Sequence, residues 1–293
     1  MSRLAIAVHG GAGPRRRPDG PTERDLRTAL LRALEAGRRA LEAGRPALDA
    51  VVFAVAVLEE DQPFNAGRGS VLTEAGTVEM DAAVMRGDDR ALGAVAAVRR
   101  VRQPVKLARA VLDRGREAIL CGASAERLAA ARGLELVAEE ELITEQRLRR
   151  WRRGSESASY GTVGAVALDR SGGLAAATST GGRSGQSAGR IGDTPLPGAG
   201  TWADSTTAAV SCTGDGEAIL RAACAHEVHV GVREGRSLAE AAEAAIFEEL
   251  VRFAGDGGLI AVDAQGNLAM PFSTEAMSRS WWTGEGSPRT VIA

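Results

Sequence analysis

Apolar positions along the chain fall into short blocks with two rhythms. Residues 4–8 form an unbroken apolar run that stops at His9-Gly10-Gly11-Ala12-Gly13, which reads as a buried strand entering a flexible turn. Pro21-Thr22-Glu23 opens a helical pattern running to about residue 43, and Pro46 starts a second, to about residue 60. Turn residues surround 64–70, residues 78–84 read as a strand, and 104–114 and 123–131 read as helices. Residues 139–153 are highly charged and end in Arg147-Leu148-Arg149-Arg150-Trp151-Arg152-Arg153; the small polar residues 154–159 that follow are the best linker candidate in the chain. Strands then come quickly. Residues 162–168 and 174–178 flank Asp169-Arg170-Ser171-Gly172-Gly173, a hairpin-type turn, and 207–212 is another strand. Gly214-Asp215-Gly216-Glu217 opens a helix through about residue 232, a further helix covers 238–253, and 258–262 with 267–270 form a last hairpin across 263–266. Strands and helices are grouped in blocks rather than strictly alternating, which favours stacked sheets covered by helices over a doubly wound parallel sheet. There is no internal repeat.

Composition narrows this picture. At 293 residues the chain allows one large domain or two ordinary ones. Apolar residues make up 44% but aromatics only 3%, so the core is built from Ala, Val and Leu, which suits closely packed helix-on-sheet layers. The net charge of −2 implies neither nucleic acid nor a membrane as the main partner, and the arginine run reads as a solvated helix end with no aromatic stacking platform beside it. Three cysteines, 121, 212 and 224, without paired spacing argue against a disulfide framework and for a reducing compartment. The N-terminal apolar run is too short for a signal peptide, and no stretch of about 18 apolar residues is present. The expectation is a soluble, cytoplasmic protein.

Several chemistries fail on the residues. His9-Gly-Gly-Ala-Gly is similar to the oxyanion segment of lipases, but Gly182-Arg183-Ser184-Gly185-Gln186 breaks the nucleophile elbow at its last position. His226-Glu227-Val228-His229 spaces its histidines three apart where a zinc helix needs four. With three histidines in all, a Ser/His/Asp triad is short of candidates. Thr213-Gly214-Asp215-Gly216-Glu217, between a strand and a helix, could present backbone N–H groups to an anion or a developing oxyanion, or could hold glycines for tight packing only. Gly161-Thr162-Val163-Gly164-Ala165-Val166 sets a threonine at the start of a strand directly after the polar segment. A hydroxyl needs a base, and the amine of an N-terminal threonine, with a pKa of about 7.7–8.0, is well placed for that work. Thr162 gains such an amine only if the Gly161–Thr162 bond is cut. Alone, the same threonine is an ordinary β-branched strand former.

In chain order the blocks are His9-Gly-Gly-Ala-Gly13, Phe64-Asn65-Ala66-Gly67, Glu79-Met80-Asp81-Ala82, Gly161-Thr-Val-Gly-Ala-Val166, Thr178-Ser-Thr-Gly-Gly182, Gly189-Arg-Ile-Gly-Asp193, Ser211-Cys-Thr-Gly214 with Gly216-Glu217, and Pro271-Phe-Ser-Thr-Glu275. Over nearly its full length the chain resembles the plant-type L-asparaginases, or isoaspartyl peptidases, which are N-terminal-nucleophile hydrolases. The resemblance implies an α/β fold of the α+β kind, a four-layer αββα sandwich formed by residues 1–293 as a single domain. It implies self-cleavage into an α-subunit, 1–161, and a β-subunit, 162–293, associated as (αβ)2. By the same resemblance Thr162 is the nucleophile, and Thr180 orients it. Thr213 and Gly214 form the oxyanion hole, and Asn65 supports the nucleophile region. Arg190 clamps the substrate α-carboxylate, Asp193 takes the α-ammonium, and Gly216 offers a backbone group nearby. The backbone carbonyls of Leu58, Glu59, Asp61, Phe64, Ala66 and Arg68 would hold a structural sodium ion; no organic cofactor is expected. The implied reaction is hydrolysis of L-asparagine to aspartate and ammonia, and release of aspartate from β-aspartyl dipeptides.

The chain departs from the family pattern in places. The segment before Thr162 looks short and arginine-rich, Gln186 and Ala188 stand where a lysine and a proline are expected, Trp202 stands for a tyrosine, and Ser273 and Ser278 replace more typical residues. A glycosylasparaginase would be expected to carry a secretory signal and disulfides, and a taspase-like endopeptidase an insertion that makes room for a polypeptide. A non-catalytic module binding a nucleotide or phosphate at Gly214-Asp215-Gly216 would show no backbone cleavage.

Overall fold

The computed structural model describes residues 3–14, 20–154 and 161–292. Most of the expected linker, 155–159, therefore lies outside the described residues. In chain order the elements are β1 (Ala5–Gly13), α1 (Glu23–Glu42), α2 (Ala47–Glu60), β2 (Met80–Arg86), β3 (Leu92–Val98), α3 (Pro104–Arg114), β4 (Ile119–Cys121), α4 (Gly122–Ala131), α5 (Glu139–Leu142) and α6 (Glu145–Arg152). They continue with β5 (Val163–Leu168), β6 (Leu174–Thr180), β7 (Thr201–Ala203), β8 (Ala208–Gly214), α7 (Gly216–Ala222), α8 (Cys224–Arg233), α9 (Leu238–Ala244), β9 (Gly257–Asp263), β10 (Leu268–Ala269), β11 (Ala276–Trp282) and β12 (Arg289–Ile292).

An eight-stranded sheet runs β12-β11-β1-β5-β6-β2-β3-β4 and a four-stranded sheet β10-β9-β8-β7. Helices α1 to α3 cover the outer face of the large sheet, α7 to α9 cover the small one, and β5 and β6 meet β8 and β9 across the middle. This is the αββα order of layers. The alternation of small apolar side chains explains it. On β5, Val163, Ala165 and Ala167 face the helices while Val166 and Leu168 face the second sheet. On β1, Ile6 and Val8 face the helices while Ala5 and Ala7 face inward. Strands buried on both faces read as continuous apolar runs rather than as alternation. Among the described residues no helix is long and apolar enough to cross a membrane.

The helices begin where their capping chemistry allows. Thr22 caps α1 through a capping box with Asp25. The buried stripe Leu26, Leu30, Ala33, Leu34, Gly37 and Leu41 then turns one face of α1 inward. At Gly37 the helix presses against β1 and α2: a Cβ there would stand 2.3 Å from Ile6 Cδ1 and 2.8 Å from the Ala50 carbonyl. Gly37→Ala is therefore expected to destabilise the fold by about 1–3 kcal/mol despite alanine's better helix propensity, read as a lowered urea midpoint. A midpoint equal to or above wild type would show that the layers can separate without cost.

Two expectations need correction. The first strand does not stop before His9 but continues to Gly13, with a bulge between His9 and Ala12 where the register against β11 shifts. Gly11, at φ +104, makes that bulge possible. The helix expected from residue 214 to 232 is two helices, broken at Ala223, which adopts φ 48 and ψ 41. The first N–H groups of α8 are claimed from outside, Ala225 N by the Ala199 carbonyl (3.1 Å) and His226 N by the Gly198 carbonyl (2.9 Å). These bonds offset the strain of a left-handed alanine. The helix over 238–253 is continuous but ends as a π-helical turn, Ala245–Leu250, and a 3-10 turn, Val251–Phe253.

Candidate active site

Three strand ends meet at one edge of the sheet stack. β5 and β6 are antiparallel, with Val163 opposite Ser179, so the start of one lies beside the end of the other. Thr162 immediately precedes β5, Thr180 is the last residue of β6, and Gly214 is the last of β8. The Thr162 hydroxyl donates to Thr180 Oγ1 at 3.1 Å, and Thr180 Oγ1 also accepts from Gly182 N at 3.1 Å. Thr162 is 8% exposed. Its side chain borders a small cavity, about 20 Å³, whose other walls are Gly161, Thr180, Gly182, Arg183, Arg190, Asp193, Gly214 and Gly216.

The peptide before Thr162 is held tightly. The Gly161 carbonyl accepts from Asn65 N at 3.2 Å. A Cβ on Gly161 would lie 2.7 Å from Asn65 Cβ, and one on Gly11 would lie 2.7 Å from Gly161 Cα. Only glycine fits at either position. Asn65 also binds the loop after β6, its Nδ2 donating to the Gly182 carbonyl (2.7 Å) and its carbonyl accepting from Gly181 N (2.9 Å), and its own loop, where its Oδ1 accepts from Val71 N (2.8 Å). The His9, Phe64 and Gly161 blocks of the sequence thus converge on the Gly161–Thr162 bond.

The Thr178-Ser179-Thr180 block splits by strand alternation. Thr178 and Thr180 face the second sheet and Ser179 faces the helices. Ser179 Oγ donates to Glu59 at 2.6 Å, and Glu59 also accepts from Val105 N at 2.9 Å. Burial pushes the Glu59 carboxyl up to about 8, so it holds its proton at neutral pH. Thr178 joins a buried chain from His9 Nε2 to Ser211 Oγ (2.9 Å), Ser211 to Thr178 (2.8 Å) and Thr201 to Thr178 (2.7 Å). Burial drives His9 down to about 3, which keeps the ring neutral, while the Thr162 main chain pulls the other way.

Arg190 and Asp193 lie in the same cavity wall, but they do not pair with each other as neighbours on a surface would. Arg190 Nε donates to Glu217 at 2.9 Å, and its Nη1 reaches Gln186 Oε1 at 3.4 Å. Asp193 is 6% exposed, and its Oδ2 has no hydrogen-bond partner. Burial pushes its carboxyl up to about 7, against the pull of Arg190. The loop carrying both is stapled to the start of β2 and the residue before it, since Gly189 N donates to Glu79 (2.7 Å) and Gly192 N to Asp81 (3.4 Å). Gly216 passes between the two groups: a Cβ there would meet Asp193 Oδ1 at 2.7 Å and Arg190 Nη2 at 2.8 Å. A buried carboxyl with one unpartnered oxygen beside a guanidinium, with the Thr162 hydroxyl oriented by Thr180 between the strands, can receive a zwitterionic α-amino acid and present its side chain to Thr162.

The Gly214 backbone reaches the cavity, whereas Thr213 is fully buried and its Oγ1 accepts from Ala12 N at 3.3 Å, which leaves the hydroxyl able to donate. The turn after it is no open anion cradle. Helix α7 has seven residues, and the Asp215 carboxylate caps it by accepting from Glu217 N at 3.2 Å. His226 and His229 are structural: His229 Nδ1 bonds Thr207 at 2.7 Å, both rings pack on Trp202, and no group of three metal-ligating side chains occurs among the described residues. The loop of Leu58, Glu59, Asp61, Phe64, Ala66 and Arg68 turns beneath this site, with Arg68 N donating to the Glu59 carbonyl (2.7 Å) and Phe64 N to the Asp61 carbonyl (3.2 Å). Arg183 lines the cavity and Gln186 supports it; the sequence named Gln186 as a departure from the family pattern but gave neither residue a role in the site. The available signal was their position directly after the Thr178–Gly182 block.

Residues 2–292 match the family model described as Asparaginase. The chain is 44% identical to the isoaspartyl peptidase of Escherichia coli strain K12, over 100% of this chain and 97% of that protein. It is 42% identical to the isoaspartyl peptidase/L-asparaginase of Bos taurus, over 93% of this chain and 91% of that protein. It is 37% identical to the putative isoaspartyl peptidase/L-asparaginase of Dictyostelium discoideum, over 95% of this chain and 93% of that protein.

Proposed function

The chain belongs to the asparaginase family, and on that premise we propose that it is a self-activating threonine hydrolase acting on L-asparagine and on β-aspartyl dipeptides, with Thr162 as its nucleophile. The strongest support is the Thr162 hydroxyl, hydrogen-bonded to Thr180 in a pocket that also holds Arg190 and Asp193, whose Oδ2 has no partner. In the first step Thr162 Oγ1 attacks the Gly161 carbonyl carbon, transferring the acyl group from nitrogen to oxygen. Asn65 N–H, already on that carbonyl oxygen, stabilises the charge that develops there. That acyl shift breaks the Gly161–Thr162 bond and, with the hydroxyl proton passing to nitrogen, frees the Thr162 amine. Water then hydrolyses the ester, leaving Gly161 with a carboxylate and restoring the Thr162 hydroxyl, and the amine serves as base thereafter. A cavity of about 20 Å³ holds little more than a water molecule. Cutting the chain releases Gly161 from its wall and makes room for substrate.

In turnover Arg190 holds the α-carboxylate, with bidentate geometry available to its guanidinium, and Asp193 holds the α-ammonium. The side-chain carbonyl of asparagine or of the β-aspartyl bond then lies before Thr162. Gly214 N–H and the Thr213 hydroxyl receive the oxyanion, ammonia or the downstream amino acid leaves, and water cleaves the aspartyl ester. Intact mass of the purified protein beside hydrolysis of both substrates tests the reading: fragments 1–161 and 162–293 with both activities support it, and a whole chain inert to both refutes it.

Three further features belong to the proposal. The resemblance supports assembly as (αβ)2, and three free cysteines suit a cytoplasmic setting. A sodium ion on the carbonyls of Leu58, Glu59, Asp61, Phe64, Ala66 and Arg68 fits the chemistry of the loop, which offers oxygen donors of the kind hard cations take. Of these carbonyls, that of Phe64 lies 2.8 Å from where a Gly69 Cβ would stand, while those of Leu58, Glu59 and Asp61 each accept one backbone N–H and keep a second lone pair. The ion would fix the loop that carries Asn65. Replacing sodium by choline is expected to lower Tm by several degrees and leave kcat unchanged near 25 °C; an unchanged Tm would count against the ion.

A further inference from the structure

We infer that Arg183 is a specificity residue which binds the free C-terminal carboxylate of the amino acid released from a β-aspartyl dipeptide. The inference rests on the proposed function, because it assigns the one charged group of the pocket which that reading leaves without a role. Among the described residues, Arg183, Arg190 and Asp193 are the charged side chains lining the cavity around Thr162. A β-aspartyl dipeptide carries one ammonium and two carboxylates, whereas asparagine carries one of each. Asp193 and Arg190 match, in that order, the ammonium and the α-carboxylate that both substrates share, which leaves a cation for the second carboxylate.

The placement of Arg183 suits that task. Its backbone is fixed, since Arg183 N donates to Gln186 Oε1 at 2.8 Å and that same oxygen lies 3.4 Å from Arg190 Nη1. Gly182 at φ +78 turns the chain so that Gln186 packs where a Cβ would be, 2.2 Å from its Oε1. Gln186, one of the departures from the family pattern, thus sets the two arginines relative to each other. The guanidinium itself is not committed. It stands 58% exposed at the rim, and its nearest acidic group is Glu217, 3.9 Å away. Glu217 is engaged at 2.9 Å by Arg190. So loose a contact at the surface contributes little, and a carboxylate arriving from solvent can replace it. Arginine's planar fork then offers two parallel hydrogen bonds to the incoming carboxylate.

The test compares wild type with Arg183→Met, which keeps the aliphatic stem without the charge, on three substrates: β-aspartyl-leucine, its C-terminal amide, and asparagine. On β-aspartyl-leucine the variant is expected to lose about ten-fold in kcat/KM, mostly through KM, the scale of one charge-assisted hydrogen-bonded contact. On asparagine and on the dipeptide amide it should match wild type within about two-fold, and the amide should be as poor a substrate for wild type as the free acid is for the variant. Arg183→Lys should recover part of the loss. Equal losses on all three substrates would show that Arg183 supports the site generally, and no loss on any would show that it is a solvated bystander; either overturns the inference while leaving the hydrolase reading intact. A self-cleaved wild type inactive on every substrate would overturn both.

Discussion

Thr162→Ala is expected to remain a single 293-residue chain after prolonged incubation and to lose hydrolysis by at least about 10⁴-fold, while wild type separates into residues 1–161 and 162–293. The loss is this large because one side chain has two tasks. In the proposed mechanism its hydroxyl attacks first the Gly161 carbonyl and then the substrate, and the amine that serves as base exists only after the first attack. Folding should survive. The variant gives up one hydroxyl hydrogen bond, worth about 0.5–1.5 kcal/mol, and Thr180 keeps its bond from Gly182 N. Circular dichroism and the urea midpoint should therefore stay near those of the uncut wild type. Thr162→Ser, which retains a hydroxyl without the β-methyl, should still cut and turn over more slowly. Cleavage of Thr162→Ala at the same bond would remove Thr162 from the mechanism.

Asp193→Asn should keep autocleavage and lose about 10²- to 10³-fold in kcat/KM for asparagine. On the proposed binding mode the variant deprives the substrate ammonium of its buried counter-charge, and stranding one partner of a buried ion pair costs about 3–5 kcal/mol, at about 1.4 kcal/mol per factor of ten. The self-cleaving step involves no ammonium at this position, so processing and turnover should come apart. Burial raises the Asp193 carboxyl to about 7 in the unliganded protein. Wild-type kcat/KM should accordingly fall as pH drops below about 7, because a protonated Asp193 no longer attracts the ammonium. Stability runs the other way. A carboxyl whose folded pKa is raised contributes its full stability below its unfolded value, near 4, and loses it as pH rises through about 7. The asparagine variant lacks that loss, so at pH 8 it should be at least as stable as wild type while being far less active. Parallel losses of stability and activity at pH 8 would mean that the carboxylate holds the loop rather than the substrate.

These two residues differed in how far the sequence could place them. Thr162 was legible from Gly161-Thr162-Val163 after a polar segment, together with the scarcity of histidine and the ordered set of family blocks. The motif placed Asp193 at the site, yet three residues from Arg190 it could equally have been half of a surface ion pair. Only the packing decided that Arg190 turns to Glu217, 27 positions away, and that Asp193 is buried with an unpartnered oxygen. The purpose of the Glu79–Ala82 block was likewise hidden until Glu79 and Asp81 proved to hold the loop of Gly189 and Gly192.

The sequence by itself determined the helix starts at Thr22 and Pro46, the two-sided apolar strands, read as 162–168 and 174–178 where the structure has 163–168 and 174–180, and the layered class of fold, and it singled out Thr162 as the proposed nucleophile. Each follows from residues close together in the chain: a cap within one turn, a period of two or 3.6, a motif a few residues long. The tertiary structure alone decided that β1 continues through His9 to Gly13, because its partner β11 begins at Ala276 at the far end of the chain. It also decided the break of the 214–232 helix at Ala223, forced by the carbonyls of Gly198 and Ala199. The setting of Arg183 and Arg190 around Gln186 and Glu217 arose in the same way. Local patterns set periodicity and caps, whereas burial, ionisation and the choice of hydrogen-bond partner depend on groups that only the folded layers bring together.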